Sequence, residues 1–274
     1  MCKVLKVSRS GYYKWQKRPI SQRREENNQI LETIRIIRMT QPKKQSYGSP
    51  RLTRELNEKG IKCHKSRVAK IMQANGIKAR IKRKFVTATK SGHKMPVAPN
   101  LLNQRFDVGE PTKAYVSDIA YIPTSDGWLY LAAVLDLFSR KITGWATSKA
   151  LTAELVIKAL YNTWTTQKPA EGAILHSDRG GQYACLEYRS IIERCGYVQS
   201  MSGVGNCYDN AVMESFFHTL KTEWVSFHTY KTRAEATSSI FDYIETFYNR
   251  ERRHSKLNYL APIDYEKWYY KSKI

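Results

Sequence analysis

Acidic residues are nearly missing from the first hundred positions of this chain, where 5 Asp and Glu stand against 26 Lys and Arg. Residues 101–274 hold 19 against 20, so the excess behind the +22 formal charge lies almost wholly in the first third. A short basic run is ordinarily a solvated face, but an asymmetry of this size points to a polyanion-binding module joined to a nearly neutral one. Cysteine offers no framework either. Cys2, Cys63, Cys185, Cys195 and Cys207 are odd in number, scattered and without a Cys-x-x-Cys pair. That pattern excludes a disulfide scaffold and a tetrahedral zinc site, and the neighbours Cys63-His64 read as structural. No apolar run approaches the ~20 residues that span a bilayer, and Met1-Cys2-Lys3-Val4-Leu5-Lys6 has no signal-peptide core. A reduced, cytoplasmic setting without membrane contact is expected. Internal repeats and low-complexity tracts are also lacking.

What is present is a foldable chain, with 42% hydrophobic residues over 274 positions. Residues 1–45 form a basic N-terminal helical segment, in which Ile30, Leu31, Ile34, Ile37 and Arg38 recur at helical spacing. The apolar stripe is narrow and must pack on something else. Residues 46–84 read as a helix-turn-helix DNA-binding domain. Pro50 suits a first helical turn, Leu52 and Leu56 follow, and Gly60 stops the helix. Ser66 can cap a second helix carrying Val68, Ile71 and Met72, with Asn75-Gly76 closing it. Lys65, Arg67 and Lys70 fall on the other side of that helix, as in a groove-reading helix. A helical hairpin with a basic surface would look similar. The adjoining run with Lys78, Arg80, Lys82, Arg83 and Lys84 favours DNA. Residues 85–111, with Pro96, Pro99 and Pro111, read as a linker.

From residue 112 the texture changes. Residues 115–122 and 128–135 are β-rich runs separated by the hairpin signal Ser125-Asp126-Gly127, and residues 141–147 give a third strand. A helix over 152–165, a strand over 172–176, a helix over 186–194, a loop over 203–210 and a long helix over 210–227 complete a mixed α/β plan.

Three acids stand in unusual places. Asp118 interrupts a strand-like run, where aspartate is disfavoured and an unpaired buried carboxylate is expensive. Asp178 closes a second strand in His176-Ser177-Asp178-Arg179-Gly180-Gly181. After 35 further residues, Glu214 sits near the start of the long helix. Singly, these would be an edge residue, a turn residue and a helix-dipole partner. Together they suggest carboxylates converging on divalent cations such as Mg²⁺, which takes hard oxygen ligands and keeps room for water and phosphate. Lys221 lies two helical turns beyond Glu214 on the same face, with His218 between, and suits a phosphate or base near the reacting bond. Arg253 and His254 are further candidate DNA contacts, whereas His176 reads as a hydrogen-bonding structural residue. Gly180-Gly181 and residues 203–205 suggest loops able to admit DNA.

With these blocks in view, the chain resembles the integrase-type transposases of bacterial insertion sequences of the IS-three family, related in fold to retroviral integrases. The matching blocks are Asp118-Ile119-Ala120-Tyr121-Ile122, Asp136-Leu137-Phe138-Ser139-Arg140-Lys141-Ile142-Thr143-Gly144-Trp145, residues 176–183, Gly205-Asn206-Cys207-Tyr208-Asp209-Asn210-Ala211 and Glu214-Ser215-Phe216-Phe217-His218-Thr219-Leu220-Lys221. Phe247-Tyr248-Asn249-Arg250, Arg253-His254, Leu257 with Pro262, residues 8–15 and Tyr47-Gly48-Ser49-Pro50-Arg51-Leu52 match as well. Ala120 stands where the family more often has Thr.

The resemblance implies an α/β fold, a ribonuclease H-like integrase catalytic core with a mixed sheet over 112–274, extended by C-terminal helices and preceded by the helix-turn-helix region. It implies that Asp118, Asp178 and Glu214 are catalytic and hold two Mg²⁺ (or Mn²⁺) ions for DNA cleavage and strand transfer at insertion-sequence ends. Double-stranded DNA, a homo-oligomer assembled on it, and an upstream reading-frame product or fusion are the implied partners. Rival readings fit less well. An inactive DNA-binding regulator predicts a broken acid set, a ribonuclease acting on RNA–DNA hybrids needs no basic 100-residue module, and a retroviral-type integrase needs an N-terminal His/Cys zinc pattern that is not here.

Overall fold

The computed structural model describes residues 2, 4–82, 95–203 and 207–273, and the chain divides into two compact units, Met1–Ala79 and Arg80–Ile274. In the first unit, α1 (Arg9–Gln16) begins where the Ser8 hydroxyl accepts a hydrogen bond from the Gly11 N–H at 3.1 Å. α2 (Gln22–Thr40) buries Ile30, Ile34 and Ile37. α3 (Ser49–Glu58) has Pro50 in its first turn and buries Leu52 and Leu56, and α4 (Lys65–Ala74) buries Val68, Ile71 and Met72. Gly60, at φ +82°, turns the chain out of α3 where a side chain would be strained. The narrow stripe of α2 meets both α3 and α4, so the three helices share one core and the break expected at residue 45 falls inside it. A buried ion pair, Lys44 Nζ to Glu55 at 2.9 Å, ties the turn after α2 to α3.

The second unit is built on a five-stranded sheet: β1 (Ala114–Thr124), β2 (Gly127–Asp136), β3 (Ile142–Ser148), β4 (Ala173–Ser177) and β5 (Tyr197–Met201). Its order is β3-β2-β1-β4-β5. The β1–β2 and β2–β3 pairs are antiparallel, and β1–β4 and β4–β5 are parallel. Between strands run α5 (Ala153–Thr166), α6 (Gly181–Ala184) and α7 (Leu186–Arg194). After β5 come α8 (Ala211–Glu223), α9 (Arg233–Phe241), a π-helical turn over Asp242–Tyr248, and α10 (Pro262–Lys271). α5 lies so close to β3 that a Cβ at Gly144 would stand 2.3 Å from the Thr163 Oγ1 and 2.4 Å from its backbone nitrogen, so only glycine fits there.

Two elements depart from expectation. β5 went unread because Tyr197-Val198-Gln199-Ser200-Met201 carries two polar residues and becomes a strand only by pairing with β4. The long helix expected over 210–227 stops at Glu223, because Trp224 leaves helical geometry (φ −133°, ψ −71°) and a 3₁₀ turn over Val225–Phe227 follows. The described end of the expected linker is fastened rather than free. Leu102 is buried, and the Leu101 N–H donates to the Ser200 hydroxyl at 2.9 Å.

Candidate active site

The strand register brings the two aspartates together. Ala114, Tyr115 and Val116 of β1 pair with Ile174, Leu175 and His176 of β4. Continuing that parallel register places Asp118 beside Asp178, on the same face and one strand spacing apart. Two local contacts fix the acids there. The Ser117 and Tyr183 hydroxyls meet at 3.0 Å, tying β1 to the helix that follows Asp178. Gly180 donates its N–H to the Asp178 Oδ1 at 2.9 Å, and a Cβ on Gly180 would stand 3.0 Å from that oxygen. The glycine therefore belongs to the turn that aims Asp178. His176 is wholly buried, with Nδ1 2.8 Å from the Ser200 hydroxyl and Nε2 3.2 Å from that of Ser202. Burial pushes its pKa down to about 4, so it sits neutral as a brace between β4 and β5.

Glu214 comes from α8. The Asn210 amide donates to the Ser117 carbonyl at 3.2 Å, pinning the start of α8 to the residue before Asp118. Glu214 follows in the first helical turn and is exposed. Burial pushes the Asp118 pKa up to about 8, reinforced by the charges of Asp178 and then Glu214. The Ile119 N–H, which donates to the Asp118 Oδ1 at 2.8 Å, and the Lys221 ammonium work in the opposite direction. One carboxylate thus feels both other acids and the lysine of the same helix. Among the described residues no three His, Cys, Asp or Glu side chains are gathered tightly enough to grip an ion as they stand. A surplus of hard, mutually repelling oxygen donors is a donor set that a divalent cation neutralises. Asp136, another buried acid, is spent elsewhere: Oδ2 accepts from the Ser139 N–H and hydroxyl at 2.8 and 2.7 Å, and Oδ1 from the Thr112 N–H at 3.1 Å.

Comparison with known proteins then decides the family. Integrase core domain models match residues 109–207 and 214–268, and a helix-turn-helix-like domain model matches residues 25–85. The chain is 40% identical over 267 residues to the transposase InsF for insertion sequence IS3A of Escherichia coli (strain K12), covering 97% of this chain and 92% of that protein. The chain belongs to the IS-three family of transposases. A 31 kDa protein of insertion element IS600 from Shigella sonnei is 43% identical over 98% of both chains. A chain from the structure of the simian T-cell lymphotropic virus intasome in complex with PP2A regulatory subunit B56 gamma superposes at a TM-score of 0.50 with 13% identity, over 80% of this chain and 70% of that one, a likeness of fold alone. The transposase is a DDE polynucleotidyl transferase, binds DNA and acts in DNA transposition and integration. Among the described residues no helix is long and apolar enough to cross a membrane.

The transposase distributes its expected DNA contacts unevenly. Lys65 and Lys70 are exposed on α4. Arg67 is not free beside them: it pairs with Glu26 at 2.8 Å, donates from Nε to the Asn27 Oδ1 at 2.8 Å and reaches the Arg23 carbonyl, bracing α4 on α2. Arg80 and Lys82 are also engaged, since the Arg80 guanidinium lies 4.1 Å from the Phe227 ring and Lys82 donates to the Ser226 carbonyl. Arg83 and Lys84 lie outside the described residues. Arg253 is half-buried and donates to the Tyr259 carbonyl at 3.1 Å, while His254, also half-buried, lines a cavity against α8. Sequence reasoning missed the positioning residues Ser117, Tyr183 and Asn210. Two of them stand within the family's motif blocks, but nothing local reveals what they touch.

Proposed function

We propose that Asp118, Asp178 and Glu214 are the catalytic acids and would together hold Mg²⁺ or Mn²⁺, two ions per site. The observation that carries the reading is the coupling of one half-buried carboxylate on β1 to a second on the adjacent parallel strand and a third on α8. When bound, the ions would polarise the scissile phosphate and lower the pKa of an attacking water or 3′-hydroxyl. The chain itself orients. Gly180 aims Asp178, Asn210 and Ser117 set the start of α8, and Lys221 brings a cation to the same site for the phosphate near the cut. Cleavage followed by joining at the element's ends needs no covalent protein link. Lys65 and Lys70 read the terminal repeat from α4 in the major groove while Arg67 holds that helix in place. Arg253, His254 and the run through Arg80, Lys82, Arg83 and Lys84 make secondary contacts with the strand backbone. An assembly of several copies joins two ends to one target, with the product of an upstream reading frame, separate or fused, completing end recognition in the bacterial cytoplasm.

The test is a joining assay with purified transposase, labelled element ends and Mg²⁺. Asp118→Asn, Asp178→Asn and Glu214→Gln each remove a negative ligand at constant size. Each variant should lose cleavage and joining by about a hundred- to a thousandfold, the order of the loss seen when a catalytic electrostatic group is removed, while DNA binding persists. Near-normal strand transfer by any one of them would overturn the assignment.

A further inference from the structure

The turn from β2 to β3 holds a charge that the acid site does not use. Arg140 adopts a left-handed backbone, φ +61°, which costs a non-glycine residue on the order of 1 kcal/mol or more. It is only 6% exposed. Its backbone is clamped: the N–H donates to the Asp136 carbonyl at 2.9 Å, and its own carbonyl accepts from the Tyr248 hydroxyl at 3.1 Å. Its side chain is not clamped to match. Of the five guanidinium N–H donors, one is engaged among the described residues, from Nη2 to the Phe106 carbonyl at 3.0 Å. Among the described residues no carboxylate lies within ion-pair distance of it. Asp107 and Asp136 act on it through space, but Asp107 pairs with Lys256 at 2.7 Å and Asp136 is bound to Ser139 and Thr112. A cation held at the wall of a solvent-reachable pocket, with most of its donors free to turn toward that space, suits an anion there.

The guanidinium lines a cavity of about 230 Å³ on the flank of α8. Arg252 also lines it, but its charge is met by Glu223 through two bonds of 2.8 Å. The hydroxyls of Ser215 and Thr219, one helical turn apart, face the same space and make no hydrogen bond within the described residues, and Lys256 stands at its edge. The cavity is built on the same elements as the acids without being lined by them: Ser215 follows Glu214 on α8, and Leu135 in its wall pairs with Val116, two residues before Asp118 on β1. At ~30 Å³ for each water's share of liquid volume, the space suits a phosphate with part of its sugar.

We propose that this cavity seats one backbone phosphate of the DNA strand lying across the acids, with Arg140 as its main ligand and Ser215 and Thr219 as hydroxyl donors. The proposal rests on the acids being the reacting site, but its test does not depend on catalysis. Full-length transposase is titrated in EDTA with element-end duplexes in which single phosphates near the cut are replaced by neutral methylphosphonates. One position should weaken wild-type binding roughly 10- to 100-fold, the size of hydrogen bonds to a charged group. Arg140→Gln should weaken binding of the unmodified duplex by a similar factor and be indifferent to that one replacement. Additive losses, or full affinity of Arg140→Gln, would overturn the proposal. Should Arg140→Gln melt early, Thr219→Glu places a negative charge in the same cavity and should erase the same position's effect; an unchanged scan with that variant sinks the idea equally. If millimolar inorganic phosphate raises the melting temperature while no methylphosphonate position matters, the cavity takes a small free anion and the DNA assignment falls. Failure of the acid assignment would show separately, as strand transfer surviving in Asp118→Asn.

Discussion

Replacing Asp118 with asparagine should stabilise the metal-free transposase, and should do so increasingly as pH rises. The carboxylate's pKa rises from 3.8 to about 8 in the folded chain through burial and the charges of Asp178 and Glu214. The penalty falls on the ionised form and only in the folded state. It is therefore nil below about pH 3.8, grows as pH rises, and is complete above about pH 8. At about 1.4 kcal/mol per pKa unit, the full displacement would correspond to ~6 kcal/mol in a water-free site. Asp118 is only half-buried, and solvent screening reduces this to about 2–3 kcal/mol. For a unit the size of Arg80–Ile274, each kcal/mol moves the melting temperature by roughly 2–4 °C, so Asp118→Asn should melt about 4–12 °C higher in EDTA at pH 8.5. At pH 5 the folded carboxylate is protonated while the unfolded one is still largely ionised, so the gap should be narrower there and close only below about pH 3.8. Adding Mg²⁺ at pH 8.5 should raise the wild type and not the variant, since only the ionised site gains from the cation. Thermal melts at the two pH values, with and without Mg²⁺, decide the matter. Equal melting in EDTA at pH 8.5, or a gap that persists unchanged at pH 5, would refute the electrostatic account of the site.

Other outcomes follow from individual side chains. Lys221→Ala should reduce joining of pre-cleaved ends more than binding to random duplex, and a crosslinker at position 221 that labels only nucleotides distant from the cut would contradict this. Lys65→Gln with Lys70→Gln should lower the slope of log affinity against log salt by about 1.8, at about 0.9 for each phosphate no longer neutralised, whereas Arg67→Ala should lower the melting temperature of the N-terminal unit with little change of slope. Glu223→Gln breaks a buried bidentate pair with Arg252 and should cost about 3–5 kcal/mol in a denaturant titration. Gly144→Ala drives a methyl into the α5 backbone and should cost at least about 1–3 kcal/mol, read in the same titration.

Local pattern was enough to determine much of this protein. Strand-like runs around Asp118 and before Asp178, the helical stripe behind Glu214 and the paired short helices of the N-terminal unit are set by side-chain periodicity, which is a property of a few consecutive residues. The basic first third was legible as charge alone. Tertiary structure decided what those residues are free to do. Asp118 and Asp178 are neighbours because β1 and β4 pair in parallel across some 60 positions of chain, and Asn210 aims α8 by reaching Ser117, 93 residues away. β5 exists as a strand only because β4 offers it an edge. The same long-range packing removes Arg67 from the surface set by giving it Glu26 and Asn27, and it turns Arg140, one letter in a turn motif, into a buried cation facing a cavity. Periodicity fixes which way a side chain faces on its own element. What it meets there depends on partners distant in sequence, whose placement only the assembled sheet and helices determine.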